Sequence, residues 1–253
     1  MPGIIIGDIV KKEKLTDTAF ALTVRCPQIS EVAVPGQFVN VKCGEESLLR
    51  RPISICSVDS DLVKLVFEVK GQGTGWLAQR LAGQSLDLLG PLGKGFSLPL
   101  GDTIVVGGGI GVPPLLFTAQ STRSVVTAVL GFQDSGRVIL KDVFEEVCDK
   151  VYITTDDGSC GIHGMVTGLL AKLLEEGKYK AVLACGPRAM LQAVAMICKH
   201  HSVPCQVSLE ERMACGVGAC MVCACAMVKD GAVVMSRVCK DGPVFPSDEV
   251  GWS

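Results

Sequence analysis

The 253 residues carry 24 lysines and arginines against 26 aspartates and glutamates, a formal charge of −2, which argues against nucleic acid or an anionic membrane as the main partner. Apolar residues make up 48% of the chain and the mean hydropathy is +0.41, enough for a large core, yet no apolar run reaches the length of a membrane span. Thirteen cysteines in so long and core-rich a chain fit a reducing compartment better than a disulfide scaffold. The opening Met-Pro-Gly-Ile-Ile-Ile lacks the basic flank and apolar stretch of a signal peptide, so a cytoplasmic location is expected.

Residues 1–99 read as short apolar runs broken by Gly, Pro and Asp: Ile4 to Val10, Ala19 to Val24, Gln37 to Val41, Ile53 to Val58 and Leu62 to Val69. Runs at this spacing predict an antiparallel β-barrel or sandwich. One helical stretch, Gly75 to Ala82, interrupts them. Arg50-Arg51-Pro52-Ile53-Ser54 sets a guanidinium and a hydroxyl on a strand that Pro confines to an edge or a strand start. Gly71-Gln-Gly73-Thr74 offers bare N–H groups at a helical turn, a seat for phosphate. Each has a plainer reading, a surface charge for Arg51 and an ordinary turn for the glycines.

From residue 100 to 207 strands alternate with helices. Strands are expected at Thr103–Val106, Val125–Leu130, Val151–Thr155, Ala181–Ala184 and Cys205–Ser208. Helices are expected after Pro113, at Lys141–Val147, at Met165–Leu174 and at Ala189–Cys198. This alternation predicts a doubly wound parallel sheet, with ligands outside the carboxyl ends of its strands. The first strand leads into Gly107-Gly108-Gly109-Ile110-Gly111-Val112-Pro113, and three consecutive glycines exceed what a helix cap requires, so a dinucleotide is favoured there. Proline stands where the usual third glycine would be, a residue suited to a first helical turn. Two more loops end strands on the same edge, one holding Asp157 and the other Cys185-Gly186-Pro187. Cys185 either faces a nicotinamide or is a core thiol. Asp134 follows the second strand and tilts the choice towards NAD over NADP, although Arg137 and Lys141 come close behind.

Residues 208–253 hold the strongest signal. Cys215, Cys220 and Cys223 stand as C-x4-C-x2-C, the plant-type spacing for a 2Fe-2S cluster, which needs one more distant cysteine. Asp230-Gly231 between apolar runs predicts a β-hairpin, and a turn there lays Cys239 opposite Cys223 as the fourth metal ligand. Zinc prefers two close pairs of ligands and is the less favoured reading. Cys225 is read as a strand residue.

Arg51-Pro-Ile-Ser54, Gly73-Thr74, Gly107 to Pro114 and Cys185-Gly-Pro-Arg-Ala-Met190, in that order, resemble the ferredoxin-NADP reductase superfamily. With the cluster segment appended, the whole chain resembles the electron-transfer subunits of the NAD-dependent dihydroorotate dehydrogenases. The resemblance implies FAD held by Arg51, Pro52, Ile53, Ser54, Val66, Phe67, Glu68, Gly73 and Thr74, with Ser54 beside the flavin. It implies NAD held by Gly107, Gly108, Gly109, Gly111, Pro113, Asp157, Cys185, Gly186 and Pro187. It also implies a 2Fe-2S cluster on Cys215, Cys220, Cys223 and Cys239, an FMN-containing catalytic subunit as partner in a heterotetramer of two plus two, and a role in pyrimidine synthesis. Barrel, nucleotide segment and cluster hairpin use up the chain, so oxidation of dihydroorotate itself is expected on the partner. The alternatives are the small subunit of an NADH-dependent ferredoxin:NADP oxidoreductase or of a sulfide dehydrogenase, and a zinc-stabilised scaffold.

Overall fold

The structure is a computed structural model that describes residues 3–45 and 47–252. Its first part comprises β1 (Gly3–Lys14), β2 (Ala19–Arg25), α1 (Pro27–Ser30), β3 (Phe38–Val41), β4 (Arg51–Asp59), β5 (Leu62–Glu68), α2 (Gln72–Ala78) and β6 (Ser85–Leu92). The six strands close into an antiparallel barrel in the order β1-β2-β5-β4-β3-β6. Side chains alternate across each strand. Val39 and Val41 thus join Leu22, Ile55, Leu65 and Leu88 inside the barrel, while Phe38 joins a second core beneath the C-terminal residues.

Two elements here were not anticipated. Gly90-Pro91 interrupts the apolar run of β6 and conceals it, and α1 is a single turn with Pro27 at its start. Helix α2 begins at Gln72, before the expected Gly75, because the Thr74 hydroxyl accepts the N–H groups of Lys70 (2.9 Å) and Gly71 (3.2 Å) and so starts the turn early.

The middle part runs β7 (Thr103–Gly108), α3 (Pro113–Ser121), β8 (Val126–Phe132), α4 (Lys141–Val147), β9 (Lys150–Thr155), β10 (Ile162–His163), α5 (Val166–Glu175), β11 (Ala181–Cys185), α6 (Arg188–His200) and β12 (Cys205–Ser208). The last part adds the hairpin β13 (Ala224–Lys229) and β14 (Ala232–Arg237), then β15 (Val244–Pro246). The main sheet is ordered β10-β9-β8-β7-β11-β12-β15, and only β15 runs antiparallel. Its central strands β7, β8 and β11 are buried on both faces. Val105 packs with Leu115 and Phe144 of α3 and α4, whereas Ile104 and Val106 pack with Leu170 and Val194 of α5 and α6. The sheet is therefore doubly wound, as the alternation predicts. Strand β15 comes from the segment assigned above to the cluster, so nucleotide sheet and cluster segment share a ladder. Among the described residues no helix is long and apolar enough to cross a membrane.

Candidate functional site

The chain leaves β7 for α3 on one face of the sheet and leaves β11 for α6 on the other. The crevice that such a divergence opens at the strands' carboxyl ends is where α/β sheets bind ligands. Here the barrel closes the other side, and the result is a cleft of about 1010 Å³.

The barrel wall is made by Arg51, Pro52, Ile53 and Ser54 of β4, Val66, Phe67 and Glu68 of β5, and Thr74 of α2. Gly73 lies behind this wall. A Cβ on it would stand 2.6 Å from Arg51 Nε, so only glycine lets the guanidinium lie against the start of the helix. Arg51 Nη1 donates to the carbonyls of Leu49 (2.6 Å) and Arg50 (3.2 Å), which fixes the side chain across the cleft mouth. The Thr74 hydroxyl caps its own helix.

The opposite wall is formed by Gly108, Gly109 and Gly111 and by Cys185, Gly186 and Pro187. Gly107 and Pro113 are buried behind it. Gly109 has φ +52, a conformation glycine adopts without penalty. A Cβ on Gly108 would stand 2.6 Å from Met190 Sδ. Bare N–H groups ahead of the nine-residue α3 suit a pyrophosphate. Asp157 does not line the cleft; its neighbour Asp156 does. Asp157 Oδ1 accepts the N–H (2.9 Å) and hydroxyl (2.6 Å) of Ser159, and the Ser159 oxygen accepts the Ser135 N–H (2.8 Å). These bonds hold the Asp157 carboxyl below the usual range and tie two rim loops together. Arg137 pairs with Asp134 (3.4 Å) and reaches Glu68 of the barrel (3.6 Å), and Lys141 pairs with Glu145 (3.5 Å). The two cations that leaned towards a 2′-phosphate are thus matched by acids.

Cys185 combines both of its expected readings, lining the cleft while packing on the edge of a core. Burial pushes its thiol up to about 12, with the Ser208 hydroxyl opposing and Glu210 reinforcing the rise. It is a neutral thiol at physiological pH. Its alkylation by iodoacetamide should be slow and should keep rising about tenfold per pH unit up to about pH 10, because only the thiolate reacts; a rate that levels off near about pH 9, as an ordinary thiol's does, would contradict this assignment.

Met190 of the Cys185–Met190 motif and Ser208 at the end of β12 meet Leu209, Glu210, Glu211 and Met213 at the floor of the cleft, and the sequence reading missed these last four. One signal was available: Leu209 to Met213 directly follow the carboxyl end of β12, the edge at which ligands are expected.

Two residues past Met213 the cysteine loop begins. The Asp230-Gly231 turn has positive φ at both residues, +52 and +78, and the hairpin pairs Ala224 with Arg237. That register brings the Val238 N–H to the Cys223 carbonyl (3.0 Å) and the Cys239 N–H to Cys223 Sγ (3.4 Å). Cys215 Sγ accepts the N–H groups of Ala219 (3.3 Å) and Cys220 (3.4 Å). The wrap requires positive φ at Gly216 (+71), Gly218 (+83) and Met221 (+61). Burial alone would raise the Cys215 thiol, but the N–H groups of Val217, Cys220 and Ala219 outweigh it and bring it to about 6. Cys239 is pushed up to about 12 by burial first and then by the Cys223 sulfur. The thiols therefore meet in two pairs, Cys215 with Cys220 and Cys223 with Cys239. Among the described residues no three ligating side chains gather round one point. A tetrahedral zinc needs four donors on one ion, whereas a 2Fe-2S cluster takes two thiolates on each iron. The donor set fits the cluster. Arg237 clamps this loop, donating to Asp241 (2.9 and 3.2 Å) and to the Gly218 carbonyl (3.1 Å). Cys225 is buried in the core beside Met227. Cys220 is exposed, and Cys223 and Cys239 are buried.

Residues 210–251 match the family model for the iron-sulfur cluster binding domain of dihydroorotate dehydrogenase B. The dihydroorotate dehydrogenase B (NAD(+)) electron transfer subunit of Desulforamulus reducens is 42% identical over 235 residues, covering 89% of this chain and 90% of that one. The corresponding protein of Bacillus caldolyticus is 40% identical over 254 residues, covering 96% of each. Among solved structures, a chain from an NADH-dependent reduced ferredoxin-NADP oxidoreductase superposes with a TM-score of 0.88 at 32% identity, covering 100% of this chain and 92% of that one. The ferredoxin reductase of carbazole 1,9a-dioxygenase, with a TM-score of 0.68 at 19% identity over 80% of this chain and 67% of that one, shares the fold.

Proposed function

We propose that a chain which belongs, as this one does, to the family of dihydroorotate dehydrogenase B (NAD(+)) electron transfer subunits uses its cleft for FAD and NAD and its cysteine hairpin as the electron outlet. The protein is an oxidoreductase subunit that carries electrons between NAD and a catalytic partner subunit, using FAD and a 2Fe-2S cluster. When bound, the nicotinamide exchanges electron pairs as hydride, the cluster passes single electrons, and the flavin between them does both.

The residues divide the work. Arg51 and the α2 start hold the FAD pyrophosphate, and Ile53, Ser54, Val66 and Phe67 flank the flavin. Gly108 to Gly111 seat the dinucleotide, with Gly107 and Pro113 shaping the loop from behind. The neutral Cys185 presents an uncharged group to the nicotinamide, and Pro187 closes that end. Asp157 acts at one remove, by holding the rim. No residue needs to act as acid or base, because hydride transfer moves no separate proton from the protein. Cys223 and Cys239 face inward and Cys220 outward, so the outlet has a cleft side and a partner side.

One observation carries this reading: the segment that floors the cleft, Leu209 to Met213, runs directly into the cysteine loop. Around the exposed Cys220 stand Val217, Met221 and Val222, all well exposed, an apolar rim suited to a protein partner. A hydride donor upstream and a one-electron outlet call for a second pair-to-single converter on the partner, and FMN is our assignment for it. A two-plus-two assembly in the cytoplasm follows the family. The solved ferredoxin-NADP oxidoreductase chain shares the architecture, so partner identity separates the two readings, and the curated relatives favour the dihydroorotate branch.

The test is co-purification from native lysate followed by dihydroorotate-dependent NAD reduction. An FMN-bearing partner that turns over supports the assignment; a ferredoxin-linked flavoprotein in its place overturns it. Within the same assay, Arg51→Ala should purify with little FAD. Loss of a charge-assisted phosphate contact would weaken binding by roughly 2–3 kcal/mol, about a hundredfold, and full flavin occupancy in that variant would refute the role given to Arg51.

A further inference from the structure

We propose that Asn40 donates a hydrogen bond from its side-chain Nδ2 to a sulfur of the cluster held by the four cysteines, and thereby raises the cluster's reduction potential; this rests on the cluster reading above. Asn40 is the sole asparagine among the 253 residues. It lies on β3 between Val39 and Val41, which point into the barrel, so its own side chain emerges on the outer face. It is fully buried there, and among the described residues neither Nδ2 nor Oδ1 has a hydrogen-bond partner. Leaving a buried amide unpaired is costly, and an apolar residue of similar size would carry no such cost.

The position of that amide identifies its partner. A Cβ on Gly216 would stand 2.6 Å from Asn40 Nδ2 and 3.4 Å from Leu92 Cδ1. Gly216 is itself buried at φ +71 and directly follows Cys215. The amide therefore presses on the inner side of the loop that carries three of the four thiols. Arg50 anchors the strand beneath, donating from Nη1 to the Asn40 carbonyl (3.2 Å) while pairing with Asp87 (2.8 Å). Phe38 and Leu92 belong to the core around it, and an N–H dipole acts more strongly in such low-dielectric surroundings. Reduction adds negative charge to the sulfurs, so a donor aimed at them favours the reduced state and raises the potential.

The full chain, isolated anaerobically after growth of an asparagine auxotroph on side-chain-15N asparagine, carries the label at this one residue. Pulsed EPR of the dithionite-reduced protein should show a 15N coupling to the cluster. Asn40→Leu should keep its iron while its cluster potential falls, leaving an oxidised-to-reduced ratio about tenfold higher at the same poise, or 59 mV for one electron. A normal cluster spectrum without 15N coupling overturns the proposal. So does an Asn40→Leu protein with full iron and an unchanged potential. If the leucine variant fails to load iron, the label on the native chain decides alone. Absence of any cluster signal in the native chain overturns both this inference and the reading beneath it.

Discussion

A Cys220→Ser variant is expected to reduce an artificial dye from NADH at the parental rate while its delivery of electrons to the catalytic partner falls on the order of a hundredfold, the upper end of what perturbing even the outer partners of a metal site costs. The two activities separate because the residues serving them are separate. The residues proposed to bind the dinucleotides line or back the cleft between barrel and sheet, and Cys220 lies outside it on an exposed loop. The serine hydroxyl is nearly isosteric, so the Cys220 N–H can still reach Cys215 Sγ and the loop keeps its path. A hydroxyl stays protonated where a thiol ionises, and its hard oxygen is a poor substitute for thiolate on iron. Measuring NADH–dye turnover beside reconstituted dihydroorotate–NAD turnover, with iron analysis, gives the answer. Undiminished delivery with a depleted cluster would sink the relay.

The second large effect belongs to a residue with no reactive group. Gly111→Ala should lower the rate of NADH-dependent flavin reduction by about a hundredfold, the cost of roughly 1 Å of misplacement, with a stability loss of about 1–3 kcal/mol from overpacking. Its Cβ would stand 2.5 Å from the Cys185 carbonyl oxygen and 2.6 Å from Gly186 Cα. These are backbone atoms at the end of β11, which cannot rotate away as a side chain could. The clash falls where the loops after β7 and β11 cross, so relieving it moves both walls of the nucleotide seat at once. Gly168→Ala on α5 is the control: nothing lies within 4 Å of its Cβ, and alanine suits a helix better than glycine. Stopped-flow bleaching of the flavin and a thermal melt read the two variants side by side. Equal behaviour would show that the crossing yields without consequence.

Local chemistry made much of this chain legible in advance. The Asp230-Gly231 turn dictates a register, and the register delivers Cys239 to Cys223. The glycine run after β7 needs no more than a strand before it and a helix after it to be read as a seat for phosphate. The features that escaped reading depend on distant parts of the chain. Strand β15 is three residues long, too short for any period to show. The choice between Asp156 and Asp157 is a matter of one residue's facing in a rim loop, set by bonds to Ser159 that spacing does not reveal. The cleft floor after β12 and the position of Asn40 against Gly216 exist only once barrel and cysteine loop are packed together.

The pairing of β15 with β12 has a consequence for how the outlet is joined to the rest. Ser208 and Val244 are register partners, followed by Val207 with Phe245 and Gln206 with Pro246. The chain thus departs from the edge of the sheet and returns to the same spot, and all that lies between is topologically an insertion between adjacent strands. The cluster hairpin is a graft with both ends rooted in one ladder. It has no single tether on which to swing, so the gap an electron must cross from cleft to outlet is set by the sheet and does not depend on a hinge. Excising the insert would leave two ends already side by side, with the nucleotide sheet and the barrel still whole.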